Sequence, residues 1–351
     1  MLFLDLKIVN KKKKLDIKNV DGSLLVVVDV SAVMRSNYVK LEPAKLLVGD
    51  KYYLLNEETN ELMVDSFGNN IEYRIPEYKN KYAKKELSWP VNGKRFNTSS
   101  MYGIFKLFTS FGFDKDYVFC FDSAYNLRKD ENPDYKAGRT KAESDYFTQL
   151  AEVKAILENV GYSCLAVDGY EGDDLAVECV NQNKKFYDNV VMVSNDYDLS
   201  QVIDTNVHFK HCLSNLDDIT MENFVEKLKC PYNSILLYKA LVGDNSDKIK
   251  GVKGFGPKSF EKFVDNENIY GMMGEVRKNN LEKKIIQESV TLKPEQKEEA
   301  LKALWLVSPK VPKVFVDYFP KKSLRFDLFS VYLSKYGMKS ILKEMPDGDL
   351  I

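Results

Sequence analysis

Four apolar runs along the chain have the composition of strands buried in a sheet. They are rich in β-branched and other apolar residues, and each has an aspartate at or near its end. The runs cover residues 24–30, 117–122, 163–168 and 189–196. Stretches with helical periodicity lie between them, at residues 99–112, 143–161 and 171–182. Continuous apolar runs that alternate with helices predict an α/β fold, with an α/β/α arrangement around a mostly parallel central sheet.

Two regions depart from this alternation. Residues 40–97 contain short, turn-rich segments, and the sequence FGNN at 67–70 is a hairpin signal, so we predict an inserted lobe of antiparallel strands. After about residue 215 the pattern becomes mainly helical. We therefore predict an α/β domain over residues 1–218 and a helical carboxy-terminal domain over residues 219–351.

Composition and charge exclude several classes of protein. The 351 residues include 51 basic and 52 acidic side chains, so no global field attracts nucleic acid, and such a partner would require segregated patches. The apolar runs are too short to span a bilayer, and the amino terminus lacks the order of a secretory signal. We therefore expect a cytosolic protein with no membrane partner.

Cysteine and histidine offer little for metal chemistry. The five cysteines are scattered, without a CxxC pair, and are predicted to be reduced and mostly buried. The only histidines, His208 and His211, are too few for histidine-based hydrolysis, and we interpret them as part of an exposed strand end.

Nine acidic residues are expected to meet at one edge of the sheet. Several follow predicted strands directly, three open a helix after the third strand, and two come from the helical region. They are Asp29, Asp122, Glu171, Asp173, Asp174, Asp196, Asp198, Asp244 and Asp247. Ligands of open parallel sheets bind at the carboxyl ends of the strands. The alternative interpretation is that each acid separately caps a helix or lies in a solvated loop.

So many like charges would repel one another unless cations held them. Oxygen ligands without histidine or thiolate favour Mg²⁺ or Mn²⁺. The size of the cluster predicts two ions, about 3.5 to 4 Å apart, that clamp a phosphodiester during in-line displacement.

A basic segment lies between the second strand and the long helix that follows it. Residues 126–144 include Arg128, Lys136 and Arg139, while Pro133 and Gly138 prevent one continuous helix. Composition alone leaves open a solvated loop.

A glycine-rich turn follows the last two acids. The sequence GVKGFGPKS, at residues 251–259, provides turns that glycine tolerates, and Pro257 suits the first turn of a helix. Its exposed amides are expected to receive a DNA phosphate without reading sequence. The residues assigned to this contact are Gly251, Lys253, Gly254, Gly256, Lys258 and Ser259. A plain helical hairpin is the alternative.

Taken in order, these motifs resemble the flap-endonuclease and 5′ to 3′ exonuclease family. The similar segments are VVVDVSAVMR, YVFCFDSA, DGYEGDDLA, VSNDYDLSQ and LVGDNSDKIKGVKGFGPKS. The resemblance runs from Leu24 to about Val264, with residues 40–97 as an insertion. The tail of the chain is more weakly similar to the end of the ribonuclease H of T-even phages.

The resemblance implies a PIN-like fold with a helical arch at about 126–145 and a helix–three-turn–helix motif at about 234–264. It implies cleavage near the 5′ end of flapped, nicked or 5′-ended duplex DNA, or of an RNA:DNA hybrid. The implied cofactors are two Mg²⁺ ions held by the nine acids, with Mn²⁺ as a substitute and K⁺ at the glycine-rich turn. A single-strand-binding protein or a clamp is an expected partner, and the chain is expected to be a monomer.

In the arch, Tyr135, Lys136 and Arg139 match a YK..R motif whose basic residues contact the scissile phosphate. Lys136 is then expected to stabilise transition-state charge, while Arg128 and Arg139 clamp neighbouring phosphates. One departure concerns the first motif, where Arg35 stands in place of a tyrosine that is frequent in the family. Its guanidinium plane is expected to stack on the terminal base instead.

Two rival functions use the same fold. One is a non-catalytic protein that binds DNA junctions, and the other is a PIN-type ribonuclease of single strands. The intact set of nine acids favours an enzyme, and the glycine-rich turn favours a duplex substrate.

Overall fold

The computed structural model describes most of the chain, in two compact units. The described residues are 22–40, 45–48, 51–54, 56, 61–73, 88–91, 94–137, 142–212, 218–228, 230–231, 234–269, 281–311 and 323–346. The larger unit, which we call the nuclease-like unit, contains those within 1–33, 110–140 and 162–322. The smaller unit contains those within 34–109, 141–161 and 323–351. The predicted boundary at residue 218 stays a prediction.

Strands and helices follow one another in the order that the apolar pattern predicts. The strands are β1 (Leu24–Asp29), β2 (Lys45–Val48), β3 (Lys51–Leu54), β4 (Glu72–Tyr73), β5 (Ser88–Val91), β6 (Lys94–Asn97), β7 (Asp116–Cys120), β8 (Ser163–Leu165), β9 (Asn189–Ser194), β10 (Val207–His211), β11 (Gly243–Asp244) and β12 (Ile249–Lys250). The α-helices are α1 (Val30–Asn37), α2 (Ser99–Phe111), α3 (Leu127–Glu131), α4 (Ser144–Val160), α5 (Gly172–Asn183), α6 (Phe224–Leu228), α7 (Ile235–Val242), α8 (Pro257–Asn266), α9 (Leu281–Glu288), α10 (Pro294–Val307), α11 (Phe326–Lys335) and α12 (Lys339–Leu342). Short 3₁₀ helices cover Lys184–Phe186 and Tyr197–Val202.

The core of the nuclease-like unit is a parallel sheet with the order β10–β9–β1–β7–β8. Every residue of the central strand β1 is buried. Val27 pairs with Val118 of β7 on one side and with Met192 of β9 on the other. A strand covered on both faces has no polar face, so its sequence is one continuous apolar run. The predicted α/β fold with a parallel central sheet is confirmed.

The edge strand β10 has a different pattern from the four predicted strands. Buried Val207, Phe209 and His211 alternate with the partly exposed His208 and Lys210. The interpretation of the histidines as an exposed strand end was therefore half wrong. They lie on a strand, but His211 is buried, and burial lowers the pKa of His208.

The helical part of this unit packs on the same core. Leu236, Leu237 and Ala240 of α7 are buried together with Ala300 and Leu304 of α10. This packing fixes the position of the carboxyl end of α10 and of the residues that follow it. No helix among the described ranges is long and apolar enough to cross a membrane.

The smaller unit contains the predicted antiparallel strands. Strands β2, β3 and β4 form one antiparallel sheet, and β5 pairs with β6. The FGNN hairpin lies in a turn closed by the Asp65 carboxylate, which accepts hydrogen bonds from the backbone N–H groups of Phe67 and Asn69, each at 2.9 Å. In the core of this unit Phe329 of α11 packs edge-on against Phe105 and Phe108, with ring centroids 5.4 Å apart.

Candidate metal and nucleic-acid site

The nine predicted acids lie together in the nuclease-like unit. Asp29 ends β1, while Asp122 and Asp196 each follow a neighbouring strand of the same parallel sheet. Because parallel strands share one carboxyl edge, these side chains come close enough for Asp29 to interact electrostatically with both. Asp173 interacts with Asp29, Asp122 and Glu171 in the same way. Asp198 interacts with Asp196 and Asp244, and Asp247 lies within 4.0 Å of the same lysine that binds Glu171.

Backbone and hydroxyl donors hold the two acids of the central strands. Asp29 accepts hydrogen bonds from the Ala32 N–H at 3.0 Å and from the Ser194 hydroxyl at 2.7 Å. Asp122 accepts from the Ser31 hydroxyl at 2.5 Å and from the Gly172 N–H at 2.8 Å. Burial, with the Asp122 charge as the second cause, raises the pKa of Asp29 to about 7.

Three basic side chains lie between the acids. Lys136 Nζ is 2.6 Å from Glu171 Oε1, Lys239 binds Asp198 and Asp244, and Arg128 binds Glu171 and Asp174. Among the described residues, no three acidic, histidine or cysteine side chains stand together in a group that could enclose one ion. Nine carboxylates facing three cations leave six formal negative charges in excess. This imbalance, in a partly buried setting, favours a further cation.

Asp173 is the acid whose carboxylate is most available to a cation. Its carboxylate is partly exposed, lines a cleft beside Asp196 and Asp198, and accepts no hydrogen bond from any residue that the structure describes. Burial and Asp29 raise the pKa of Asp173 well above its usual value, although Lys136 opposes them. An all-oxygen donor set with an unpaired carboxylate and excess negative charge fits a hard divalent cation.

Asp198 and Asp244 both contact Lys239, a lysine that the sequence analysis missed. Lys239 Nζ is 2.6 Å from Asp244 Oδ2 and also contacts Asp198. Burial alone would lower the pKa of Lys239, but Asp198 and Asp196 raise it above its usual value. The signal was present, since Lys239 is the only charged residue of the otherwise apolar helix α7.

The basic segment brings Tyr135 and Lys136 into the cluster. The buried Tyr135 hydroxyl donates to Glu171 Oε2 at 2.9 Å, and Lys136 Nζ lies 5.0 Å from the centre of the Tyr135 ring. Lys136 has a positive φ of 54°, and its N–H donates to the Asp247 carbonyl at 3.2 Å. The predicted phosphate contacts of these residues stay predictions, and Arg139 lies outside the described residues.

The glycine-rich turn connects α7 with α8. The short antiparallel pair β11–β12 precedes it, and Pro257 opens α8 at its first turn. The predicted helix–three-turn–helix motif at about 234–264 stays a prediction. Lys253, Gly254 and Lys258 are exposed, whereas Gly256 and Ser259 are partly buried. The Lys253 N–H donates to a Glu299 carboxylate oxygen at 3.0 Å, so this amide already binds an anionic group. The predicted DNA contact stays a prediction.

Gly251 is required by close approach of the backbone. A Cβ atom there would lie 2.4 Å from the Gly243 nitrogen and 2.5 Å from the Leu241 oxygen. We expect Gly251→Ala to lower the free energy of unfolding by about 2 kcal/mol, because backbone atoms cannot rotate away as a side chain can. Gly256→Ala, where no atom lies within 4 Å, should cost less than about 1 kcal/mol. Urea unfolding of both variants checks this, and equal losses would contradict it.

Comparison with known proteins bears on this site. The family described as 5′-3′ exonuclease, N-terminal resolvase-like domain, matches residues 68–229, a range that contains six of the nine acids. The 5′-3′ exonuclease of Mycoplasmopsis pulmonis is 27% identical over 221 residues, which cover 62% of this chain and 73% of that protein. This chain is similar to the 5′-3′ exonuclease family over these residues.

Other known proteins are similar to this chain over different fractions of its length. The 5′-3′ exonuclease of Aquifex aeolicus is 27% identical, with 76% of this chain and 91% of that protein covered. The DNA polymerase I of Caldicellulosiruptor bescii is 33% identical over 62% of this chain, but this chain spans only 26% of that polymerase. A D15 flap endonuclease structure from bacteriophage T5 has a TM-score of 0.53 at 15% identity, covering 92% of this chain and 96% of that one. That likeness shows a shared fold.

Arg35, which the resemblance assigned to base stacking, lies in the smaller unit. Its guanidinium carbon is 5.3 Å from the centre of the Tyr146 ring, so one aromatic partner is already present within the protein. The predicted stacking on a terminal base stays a prediction.

Proposed function

We propose that this chain is a structure-specific 5′ nuclease, with both 5′ to 3′ exonuclease and flap endonuclease activity. The observation that carries the proposal is the cluster of nine acids at one sheet edge, with the open Asp173 carboxylate next to Lys136. Similarity to curated 5′-3′ exonucleases supports it.

The residues of the cluster are assigned to two metal ions and to the phosphate. Asp29, Asp122, Glu171 and Asp173 would hold mainly one divalent ion, and Asp174, Asp196, Asp198, Asp244 and Asp247 mainly the other. When bound, Mg²⁺ or Mn²⁺ supplies an activated water and neutralises charge on the phosphodiester oxygens. Lys136 would exchange its contact with Glu171 for the scissile phosphate and offset the charge that develops there.

The substrate proposed is the 5′ end of flapped, nicked or 5′-ended duplex DNA, or of RNA annealed to DNA. A solved complex of the bacteriophage T5 flap endonuclease is described with DNA and metal ions, which supports a DNA substrate and a metal cofactor here. The exposed Lys253 and Lys258 on the glycine-rich turn would bind the duplex backbone without reading sequence. K⁺ at this turn belongs to the same proposal.

The wider setting is also proposed. We infer a monomer that works in the bacterial or phage-infected host cytosol, with a single-strand-binding protein or a clamp as protein partner.

One comparison of substrates tests the proposed function. A 5′-labelled DNA flap, a 5′-labelled RNA:DNA hybrid and a 5′-labelled single-stranded RNA are incubated with the protein in Mg²⁺ and in EDTA. We expect 5′-phosphorylated mononucleotides or short oligonucleotides from the first two, only with Mg²⁺. Cleavage of the single-stranded RNA alone would support the PIN-type ribonuclease instead. Binding of the flap without cleavage in Mg²⁺ would support the non-catalytic junction binder.

A further inference from the structure

Asp174 differs from the other acids because hydrogen bonds from the protein occupy its carboxylate oxygens completely. The residue is 1% exposed. Its Oδ1 accepts from Arg128 Nη2 at 2.6 Å and from the Lys310 N–H at 2.8 Å. Its Oδ2 accepts from Arg128 Nη1 at 2.9 Å and from the Glu171 N–H at 3.0 Å. A carboxylate has about four lone-pair sites, so Asp174 has none left for an ion.

The hydrogen-bond donors of the Arg128 side chain are likewise all occupied. Its side chain is buried, and its Nε donates to the Leu306 carbonyl at 2.8 Å. Nη1 donates to Glu171 and Asp174, and Nη2 donates to Asp174 and to the Ser308 carbonyl at 3.0 Å. A guanidinium has five N–H groups, and each has a partner here. The side chain has no donor left for a phosphate, which is the role that the resemblance assigned to it.

The pair joins three pieces of chain that are distant in sequence. Arg128 comes from α3 in the basic segment, and Asp174 from the first turn of α5, directly after Asp173. Leu306, Ser308 and Lys310 lie at the end of α10 and just beyond it. The carboxyl end of α10 is itself held by the apolar core. The start of α5 is thereby bound to residues that lie 136 positions further along the chain.

We propose that Asp174 and Arg128 are positioning residues rather than a metal ligand and a phosphate clamp, and that they hold Glu171 and Asp173 in place from residues 306–310. The inference rests on the proposed nuclease function for what Glu171 and Asp173 bind. It narrows the predicted set of nine ligands to eight. Outer partners of this kind typically change metal affinity by about 10- to 100-fold when they are removed.

A thermodynamic cycle tests the pair. The variants are Asp174→Asn, Arg128→Gln, the double variant Asp174→Asn/Arg128→Gln, and Asp173→Asn as the matched neighbour. Each single substitution, Asp174→Asn or Arg128→Gln, leaves the other residue as a buried charge without its opposite charge. Each should lower Tm by about 10 °C. The double variant removes both charges, so that neither is left buried without its partner, and should recover part of that loss. Ser308→Ala is the control, because Ser308 contributes its carbonyl, and it should leave Tm unchanged.

Two binding measurements separate positioning from direct contact. Mn²⁺ binding, followed by electron paramagnetic resonance without DNA, should keep the wild-type stoichiometry in the double variant, with the Kd weakened about tenfold. Asp173→Asn should instead lose one ion from the stoichiometry. Binding of a flapped duplex in EDTA should keep its affinity and its salt dependence in the double variant, because no phosphate contact is removed.

Three results would overturn the inference. The first is that the double variant loses an ion from the stoichiometry, as Asp173→Asn is expected to do. The second is a flatter salt dependence of DNA binding in the double variant, and the third is a double variant that does not fold. Failure of the proposed function is distinguishable. A wild-type chain that binds Mn²⁺ but cleaves none of the three labelled substrates would refute the nuclease and leave the positioning role standing.

Discussion

Asp173→Asn should lower Mg²⁺-dependent cleavage of a 5′-flapped duplex by about 10³-fold, the effect of losing several kcal/mol of charge stabilisation. The change removes one charge and keeps the size of the side chain. Asp173 accepts no hydrogen bond from the described residues, and its favourable interaction with Lys136 is opposed by burial and by the acids around it. The loss should therefore fall on catalysis and metal binding, and not on folding.

The stability of the same variant gives an independent check. The pKa of Asp173 is raised in the folded protein, mainly by burial, so the folded state favours the protonated side chain more than the unfolded state does. At neutral pH, where an unfolded aspartate is ionised, this lowers the stability of the metal-free protein. Asp173→Asn should thus have a Tm in EDTA equal to or above that of the wild type, and Mn²⁺ should raise it less.

A matched acid on the surface completes the comparison. Asp114 is exposed and pairs only loosely with Lys115, at 3.7 Å. Asp114→Asn should leave flap cleavage within twofold of the wild type. If Asp173→Asn cleaved the flap at the wild-type rate in Mg²⁺, the assignment of Asp173 to a metal ion would be wrong. A large fall of its Tm in EDTA would show that the charge has a structural partner.

The sequence predicted the sheet and the acidic edge because both depend on local rules. Buried parallel strands are continuous apolar runs, as in β1 and β9, and parallel strands present their carboxyl ends at one edge. Of the edge strand β10 only the part that carries the histidines was predicted, because alternation of Val207, Phe209 and His211 with polar residues is short and weak as a signal. The antiparallel lobe was recognised from its turn residues.

The roles of neighbouring acids could not be read from the sequence. Asp173 and Asp174 are adjacent, but successive residues of a helix point in directions about 100° apart. Asp173 lines the cleft, whereas Asp174 faces Arg128 and the backbone of Lys310. Which of two adjacent acids meets a cation depends on contacts with residues far away in the chain, and composition or spacing does not contain that information. The same reason explains why Arg128 was assigned to a phosphate.

Lys136→Met should lower the rate of flap cleavage at saturating Mg²⁺ by about 10²- to 10³-fold, as expected for removing one charged group that stabilises a transition state. In the structure Lys136 Nζ lies 2.6 Å from Glu171 and is mostly buried. Burial alone would lower the pKa of Lys136, but Asp173 and Glu171 raise it well above its usual value. The charged form of Lys136 is favoured in this way, which suits charge stabilisation better than the role of a general base.

The fall should appear in kcat more than in KM, because the duplex is expected to bind at the glycine-rich turn rather than at Lys136. Lys136→Arg keeps the charge and should recover part of the rate. Lys129→Met, from the same basic segment but exposed, is the matched control and should stay within twofold of the wild type. Single-turnover cleavage and binding of the flap in EDTA separate the two effects. If Lys136→Met weakened binding in EDTA by the same factor as the rate, Lys136 would serve to bind the substrate and not to stabilise developing charge.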